Sequence, residues 1–277
     1  MQKIAFLLLL FLLSQNSFAS ADFPEGYSAA PEQSEGWAAI PKGRPFASLP
    51  PDPLDIKTAL RKNSQQELEA GVGSYKSLAG WKGNFHGAPM IFHTGIEGMG
   101  LFEMRQQGGK FPLQSSDGFI GAYAEAIQNF DMLQFRYMHI SAHLSDGLYG
   151  TRTAFVYSRE YAALRYAHQF SFARVYTGYQ FLAHSIPTLG KHSGEFGFYS
   201  VLPQHWGNLH PFFGADLRVR NTDEGTTYNL TSGIAILSSE GASPLRIAAN
   251  YLHGHDIRGQ FYMEKLSKFS AGIEWDM

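Results

Sequence analysis

The chain has 277 residues, of which 44% are hydrophobic and 17% charged, with 29 Gly, 14 Tyr, 22 Phe and no Cys. Twenty-two Lys and Arg against 24 Asp and Glu leave a formal net charge of -2, without the basic field that a nucleic-acid binder carries, so no nucleic-acid partner is expected. The lack of Cys excludes a disulfide scaffold, a cysteine nucleophile and a thiolate metal site.

The first residues, Met1-Gln2-Lys3, supply one positive charge, and Ile4 to Leu13 is an unbroken apolar run. Ala19-Ser20-Ala21 then fits the small-x-small cleavage rule. This predicts a secretory signal peptide over 1–21, too short in its apolar core to span a bilayer. No later stretch is long and apolar enough for a membrane helix, which leaves a soluble exported protein or a transmembrane β-barrel. Residues 22–65 hold many Pro, Gly, Ser and Ala and show no periodicity, so they read as an extended periplasmic leader. Leu54, Ala59, Leu60 and Leu68 among polar residues leave room for a short helix near its end.

From about residue 89 the pattern has a period of two. Strand candidates are Ile91 to Met104, Gly118 to Gln128, Met132 to His143, Thr153 to Tyr166, Phe170 to Leu182, Gly194 to Leu202, Pro211 to Arg220, Tyr228 to Leu237, Leu245 to Gly254 and Gly259 to Met277. The cleanest is Phe213, Ala215, Leu217 and Val219 alternating with Gly214, Asp216, Arg218 and Arg220. Phe269, Ala271, Ile273 and Trp275 alternate with Ser270, Gly272, Glu274 and Asp276 in the same way. These segments exceed the ~5–6 residues of a soluble strand and match the ~9–11 tilted residues that cross a bilayer. Short links at 129–131 and 167–169 contrast with longer ones at 105–117, 144–152 and 183–193, as periplasmic turns and extracellular loops do. The expected fold is therefore all-β: an antiparallel outer-membrane β-barrel over 66–277. Ten strands are read directly, and Leu68 to Ser77 could contribute to a further pair that makes twelve. A barrel of that size has its lumen filled by side chains. Arg136, Arg159, Arg165, Arg174, Arg218 and Arg246, with Glu97, Glu125, Glu195 and Glu274, are expected to pair there.

The densest polar block is Arg136-Tyr137-Met138-His139-Ile140-Ser141-Ala142-His143-Leu144-Ser145-Asp146-Gly147. His139, Ser141 and His143 share a parity, so their side chains leave the sheet on one face, with alternate Cα atoms ~6.6 Å apart. That is a nucleophile beside a base, as in a serine esterase. The orienting carboxylate would be Asp146 in the following loop or Glu160 on the next strand. The dyad shares its parity with Leu133 and Phe135, not with Gln134 and Arg136, and therefore points toward lipid at the extracellular end of its strand. Such a pair could attack an acyl ester of an outer-leaflet lipid; the alternative is a polar cluster of purely interfacial character. Metal binding by His139, His143 and Asp146 is disfavoured because an i, i+4 pair on a strand spans ~13 Å. Loop histidines such as His192, His205, His210, His253 and His255 have no fixed geometry. No nucleotide-binding, zincin or nucleophile-elbow motif is present, and no cofactor is expected.

The runs His93-Thr94-Gly95-Ile96-Glu97-Gly98-Met99-Gly100-Leu101-Phe102, Ser116-Asp117-Gly118-Phe119-Ile120-Gly121 and Arg136 to Asp146 resemble an uncharacterised family of Gram-negative outer-membrane proteins, known only as domain of unknown function 1207. The resemblance covers roughly residues 45–277 and implies an outer-membrane barrel of unknown activity. The family often has a second Ser at the position of Ala142 and Glu at that of Gly147. Separately, His139-x-Ser141 resembles the H-x-S dyad of the outer-membrane lipid A 3-O-deacylases, whose catalytic pair faces outward; by that resemblance Ser141 is the nucleophile and His139 the base. The sequence thus predicts an outer-membrane barrel with a structural or envelope-interaction role, or else a lipid acyl-ester hydrolase. Its expected partners are outer-membrane lipid or lipopolysaccharide, and the outer-membrane assembly machinery during insertion.

Overall fold

Long runs that alternate apolar with polar residues bury one face of each strand, and only a sheet closed on itself does so in lipid without leaving an unpaired edge. A computed structural model describes residues 34–148, 150–202, 206–221, 225–237 and 244–276; the expected signal peptide over 1–21 lies outside them. Among the described residues there is no α-helix. The strands are β1 (Gly36–Ala39), β2 (Thr58–Asn63), β3 (Glu67–Phe85), β4 (Ala88–Arg105), β5 (Leu113–Gln128), β6 (Asp131–Leu144), β7 (Tyr157–Gln169), β8 (Ala173–Ile186), β9 (His192–Val201), β10 (Leu209–Arg220), β11 (Thr226–Ile236), β12 (Leu245–His255) and β13 (Lys265–Trp275).

Strands β2 to β13 form a twelve-stranded antiparallel barrel, each pairing with its chain neighbours and β13 returning to β2 through Ile273 opposite Leu60. β1 pairs only with β3, Trp37 opposite Trp81. The apolar parity faces outward: Ile120 is 66% exposed, Phe269 64% and Phe196 55%. The opposite parity is buried and carries the charges. Arg136 pairs with Glu97, Arg165 and Arg218 with Glu195, and Arg246 with Glu274. Arg159 lies over the Tyr157 ring, 4.8 Å from its centroid.

Four expectations need correction. The helix near residues 54–69 does not form; Leu60 faces lipid while Arg61 reaches the buried Glu274, so the period there is two. The barrel accordingly starts at Thr58, ahead of residue 66. Residues 40–57 are not a trailing periplasmic leader but thread into the lumen. Finally, the strands expected from 153, 170 and 259 begin at Tyr157, Ala173 and Lys265, and 256–264 is a loop that turns into the extracellular mouth.

The lumen segment has five prolines (Pro41, Pro45, Pro50, Pro51 and Pro53), so it brings few N–H groups that would need partners inside a barrel. Its remaining polar groups are met by the wall. The Phe46 amide donates to Glu125 at 3.2 Å, Arg174 donates to the Ser48 carbonyl at 2.8 Å and Asn229 to the Pro51 carbonyl at 2.8 Å. Arg44 pairs with Glu125 and Glu97, and Asp52 pairs with Arg165 and Arg218. Leu54 and Ile56 pack with Met99, Phe119, Met138 and Ile140 in the upper half of the lumen.

Asp52 lies on this segment, outside the spanning strands. Burial pushes its carboxyl up, but the Arg218 and Arg165 guanidiniums and the Leu54 amide outweigh that and hold it below its ordinary value of 3.8. A depressed carboxyl contributes stability that is present above its unfolded value and lost as pH falls toward its folded one. Asp52→Ala, which takes from two buried guanidiniums one carboxylate and leaves them Glu195, is expected to cost about 1.5–3 kcal/mol in urea unfolding from detergent micelles at neutral pH. The gap from the parent protein should narrow below about pH 4. An Asp52→Ala barrel as stable as the parent would show that the segment is not held by these pairs.

Candidate functional site

β6 leaves the short turn at Asn129, whose φ of 54° suits that residue in a tight hairpin, and rises to the loop over 145–156. With short turns at the periplasmic rim, its last residues stand at the outer-leaflet interface. Gln134, Arg136, Met138, Ile140 and Ala142 are buried in the lumen, so His139, Ser141 and His143 project outward, as their parity requires. Register supplies their neighbours. Ser141 lies between Gly118 on β5 and Ser158 on β7, and His139 between Ile120 and Glu160.

Of the two expected carboxylates, Glu160 is the one brought to the dyad. Its Oε1 is 3.5 Å from His139 Nδ1, and the two side chains are 39% and 42% exposed. The Tyr137 hydroxyl donates to the other oxygen, Oε2, at 3.5 Å. Asp146 instead lies on a 3-10 turn, Asp146–Leu148, in the loop beyond β6. Gly118 leaves Ser141 open on its other side: a Cβ there would stand 3.6 Å from Ser141 Oγ. β6 runs without a bulge against either neighbour, so His139 and His143 keep the separation that disfavours a shared metal ion.

Chemically, a carboxylate at Nδ1 favours the tautomer with its proton there and leaves the Nε2 lone pair free to act as a base. Ser141 lies two residues along the same face, its Cα ~6.6 Å from that of His139. Dyads of this kind tighten when substrate binds.

A Ser–His contact elsewhere in the barrel escaped the sequence reading because its members lie on different strands. Ser77 on β3 and His93 on β4 meet at 3.2 Å, with Ser77 also 2.8 Å from the Tyr123 hydroxyl. Both are buried in the lumen, and Ser77 donates to the Gly43 carbonyl of the lumen segment at 2.8 Å. This pair latches the segment to the wall and is closed to lipid while the segment is seated. Asp52, Glu195 and Asp216 could also offer a cation oxygen atoms within 4.8 Å of one another. Arg165 and Arg218 already neutralise that group from within it. Of the histidines expected in loops, His253 lies on β12 and stacks on Tyr251, His192 opens β9 and stacks on Tyr179, and His205 lies outside the described residues.

No family model matches the chain, and no curated protein matches it. Among solved structures, a Salmonella typhi outer membrane phospholipase, described as a dimer with bound calcium, matches at 11% identity and TM-score 0.54, covering 81% of this chain and 93% of that one. Outer membrane phospholipase A from Escherichia coli matches at 10% identity and TM-score 0.51, covering 79% and 91%. The β domain of a Bordetella autotransporter matches at 12% identity and TM-score 0.46. The chain thus has the fold of outer-membrane barrels and belongs in that membrane.

Because the sequence has no Cys, single cysteines report cleanly on the two Ser–His pairs. In intact cells Ser141→Cys should react with a membrane-impermeant maleimide and Ser77→Cys should not. The reverse result would mean that the outward assignment of β6 is wrong.

Proposed function

We propose that the protein is an acyl-ester hydrolase of outer-leaflet lipid, with Ser141 as nucleophile, His139 as base and Glu160 as the group that orients it. The observation that carries this reading is the outward row in which His139 on β6 faces Glu160 on β7 at 3.5 Å, with Ser141 two residues above on the same face. A polar side chain costs little at the interface, but an interfacial cluster does not call for a carboxylate placed against the imidazole of an outward His–x–Ser row, as it is here. The similarity in fold to the two phospholipase structures supports the same reading.

The chemistry follows from the positions. Ser141 Oγ attacks the ester carbonyl carbon while its proton passes to His139 Nε2. The imidazolium, stabilised by Glu160, gives that proton to the departing alcohol oxygen and leaves an acyl-serine. Water then attacks the acyl carbon and loses a proton to the same nitrogen; the imidazolium returns it to Ser141 Oγ as the acyl bond breaks and the fatty acid leaves. Because the site opens sideways, the lipid reaches it without leaving the bilayer. Calcium, present in the Salmonella structure, needs six to eight oxygen ligands. Ser116, Ser158 and Glu160 around Ser141 offer too few of these by themselves.

Acyl release from phospholipid and from lipopolysaccharide, measured on the purified barrel in mixed micelles, tests the proposal. Ser141→Ala and His139→Ala should each lose about 10³-fold or more in kcat. Glu160→Gln should lose less, about tenfold to a hundredfold, and Ser77→Ala should stay within about twofold of the parent. Equal release by the parent protein and Ser141→Ala, or none by either, removes the hydrolase reading. Activity lost with Ser77→Ala but kept with Ser141→Ala would move it to the lumen pair.

A further inference from the structure

The loop over 256–264 leaves β12 and crosses the barrel mouth to the wall formed by β5, β6 and β7. Its 3-10 turn, Gly259–Phe261, is fully buried there. The Gly259 amide donates to Asp117 Oδ2 at 2.7 Å. Gln260 Nε2 donates to the Ala142 carbonyl at 2.8 Å and to the Phe155 carbonyl at 2.8 Å, and Gln260 Oε1 accepts from the Phe155 amide at 3.4 Å. The approach is close enough to demand glycine: a Cβ on Gly259 would come within 2.4 Å of the Tyr157 ring and 2.5 Å of Ala142 Cβ. The root of the loop is tied down by Arg258, which pairs with Asp256 and with Glu103 on β4.

The residues touched are not scattered. Asp117, Ala142 and Tyr157 are the chain neighbours of Gly118, Ser141 and Ser158, which stand side by side on the outer face. Successive residues of a strand point to opposite faces, so a contact on one from the lumen sets the height and tilt of the next toward lipid. The loop holds from behind the one stretch of wall whose outer side carries Ser141.

We infer that Gln260 is a positioning residue, clamping the β6 backbone at Ala142 from inside the barrel so that Ser141 is held in line with His139 on the outside. The inference rests on the hydrolase reading for its catalytic consequence, while the clamp itself is a property of the fold. Its side chain never meets substrate. Removing it should therefore change the chemical step and not the binding of lipid.

Two kinds of measurement on the intact barrel in micelles decide this. Gln260→Met keeps the length of the side chain without its donors, and Gln260→Glu keeps the shape while turning the donor into an acceptor. Both should lower kcat for acyl release by about tenfold to a hundredfold with KM within about twofold. Reaction of Ser141 with a fluorophosphonate should slow in parallel. Gly259→Ala, which pushes the turn off the wall, should act in the same direction. Amide hydrogen exchange over 140–144 should rise at least severalfold in each variant while exchange in β10 and β11 stays as in the parent protein. If the parent hydrolyses lipid and the Gln260 variants keep its kcat, the positioning role is wrong. If the parent shows no activity, the hydrolase reading fails on its own, and unchanged exchange over 140–144 would then overturn the clamp as well. A rise in exchange throughout the barrel would likewise overturn it, since the effect would be general loosening.

Discussion

A closed sheet in a membrane gives each strand residue only two places to point, and those places differ more than any two environments in a soluble protein. Outside is hydrocarbon or its interface, where an unpaired charge is excluded; inside is a narrow lumen, where charges are tolerated only in pairs. Everything else in this molecule follows from that division. Arg246 and Glu274 can be fully buried because they face each other across β12 and β13. The strands that carry them can be as apolar on their other face as Ile247 and Ile273 because lipid covers it. The lumen is then completed by chain drawn from both rims: residues 40–57 enter beneath β2, and 256–264 fold in at the mouth.

A lumen filled in this way has consequences for where chemistry can take place. Glu125, Asp52 and Glu195 are occupied by guanidiniums, and the upper half is packed with Leu54, Met138 and Tyr161. These side chains and the segment over 40–57 occupy the space that a lipid chain would have to enter. Under the proposed function the reactive group stands on the outer wall instead. There the cost of polar side chains falls steeply toward the interface, which is the height at which His139, Ser141 and Glu160 occur together. Below them β6 presents Leu133 and Phe135 to the hydrocarbon, so the polar patch ends where the bilayer core begins.

The sequence was informative where one strand alone determines the answer. The alternation from Phe213 to Arg220, and from Phe269 to Asp276, located β10 and β13, and the parity of Leu133 and Phe135 fixed the outward direction of His139 and Ser141. It was silent where the answer depends on a second strand. Which carboxylate meets His139 is a matter of register between β6 and β7, and nothing within the block from Arg136 to Gly147 favours Glu160 over Asp146. β2 is too short to display a period, and the bulge between Ser77 and Ala79 interrupts that of β3, so the closing pair was only half visible. The lumen segment had no period to read. Its prolines signal irregular chain equally well in a tail and in a plug, and only the matching donors and acceptors on the wall, Arg174 and Asn229 among them, distinguish the two. The 256–264 loop deceived for the opposite reason. Gly259, Phe261 and Met263 share the parity of Phe269, so the loop mimics the strand that follows it.

The two Ser–His pairs show how little residue identity says without its surroundings. Ser77 and His93 come together across a strand pair at 3.2 Å and are better buried, yet their polar atoms converge on the Gly43 carbonyl and the Tyr123 hydroxyl. Every group there is spent on holding a segment of chain in place, and an ester could approach only after that segment had left. Ser141 and His139 sit on a single strand, where no sheet hydrogen bond competes for their side chains. Gly118 leaves one flank bare, and Glu160 faces the far side of the imidazole. A hydroxyl that already donates to a backbone carbonyl has its proton engaged there, whereas one without such an acceptor keeps it available to a base. Under the proposed function the outer pair is the one that reacts, while the inner pair holds the lumen segment against β3 and β4.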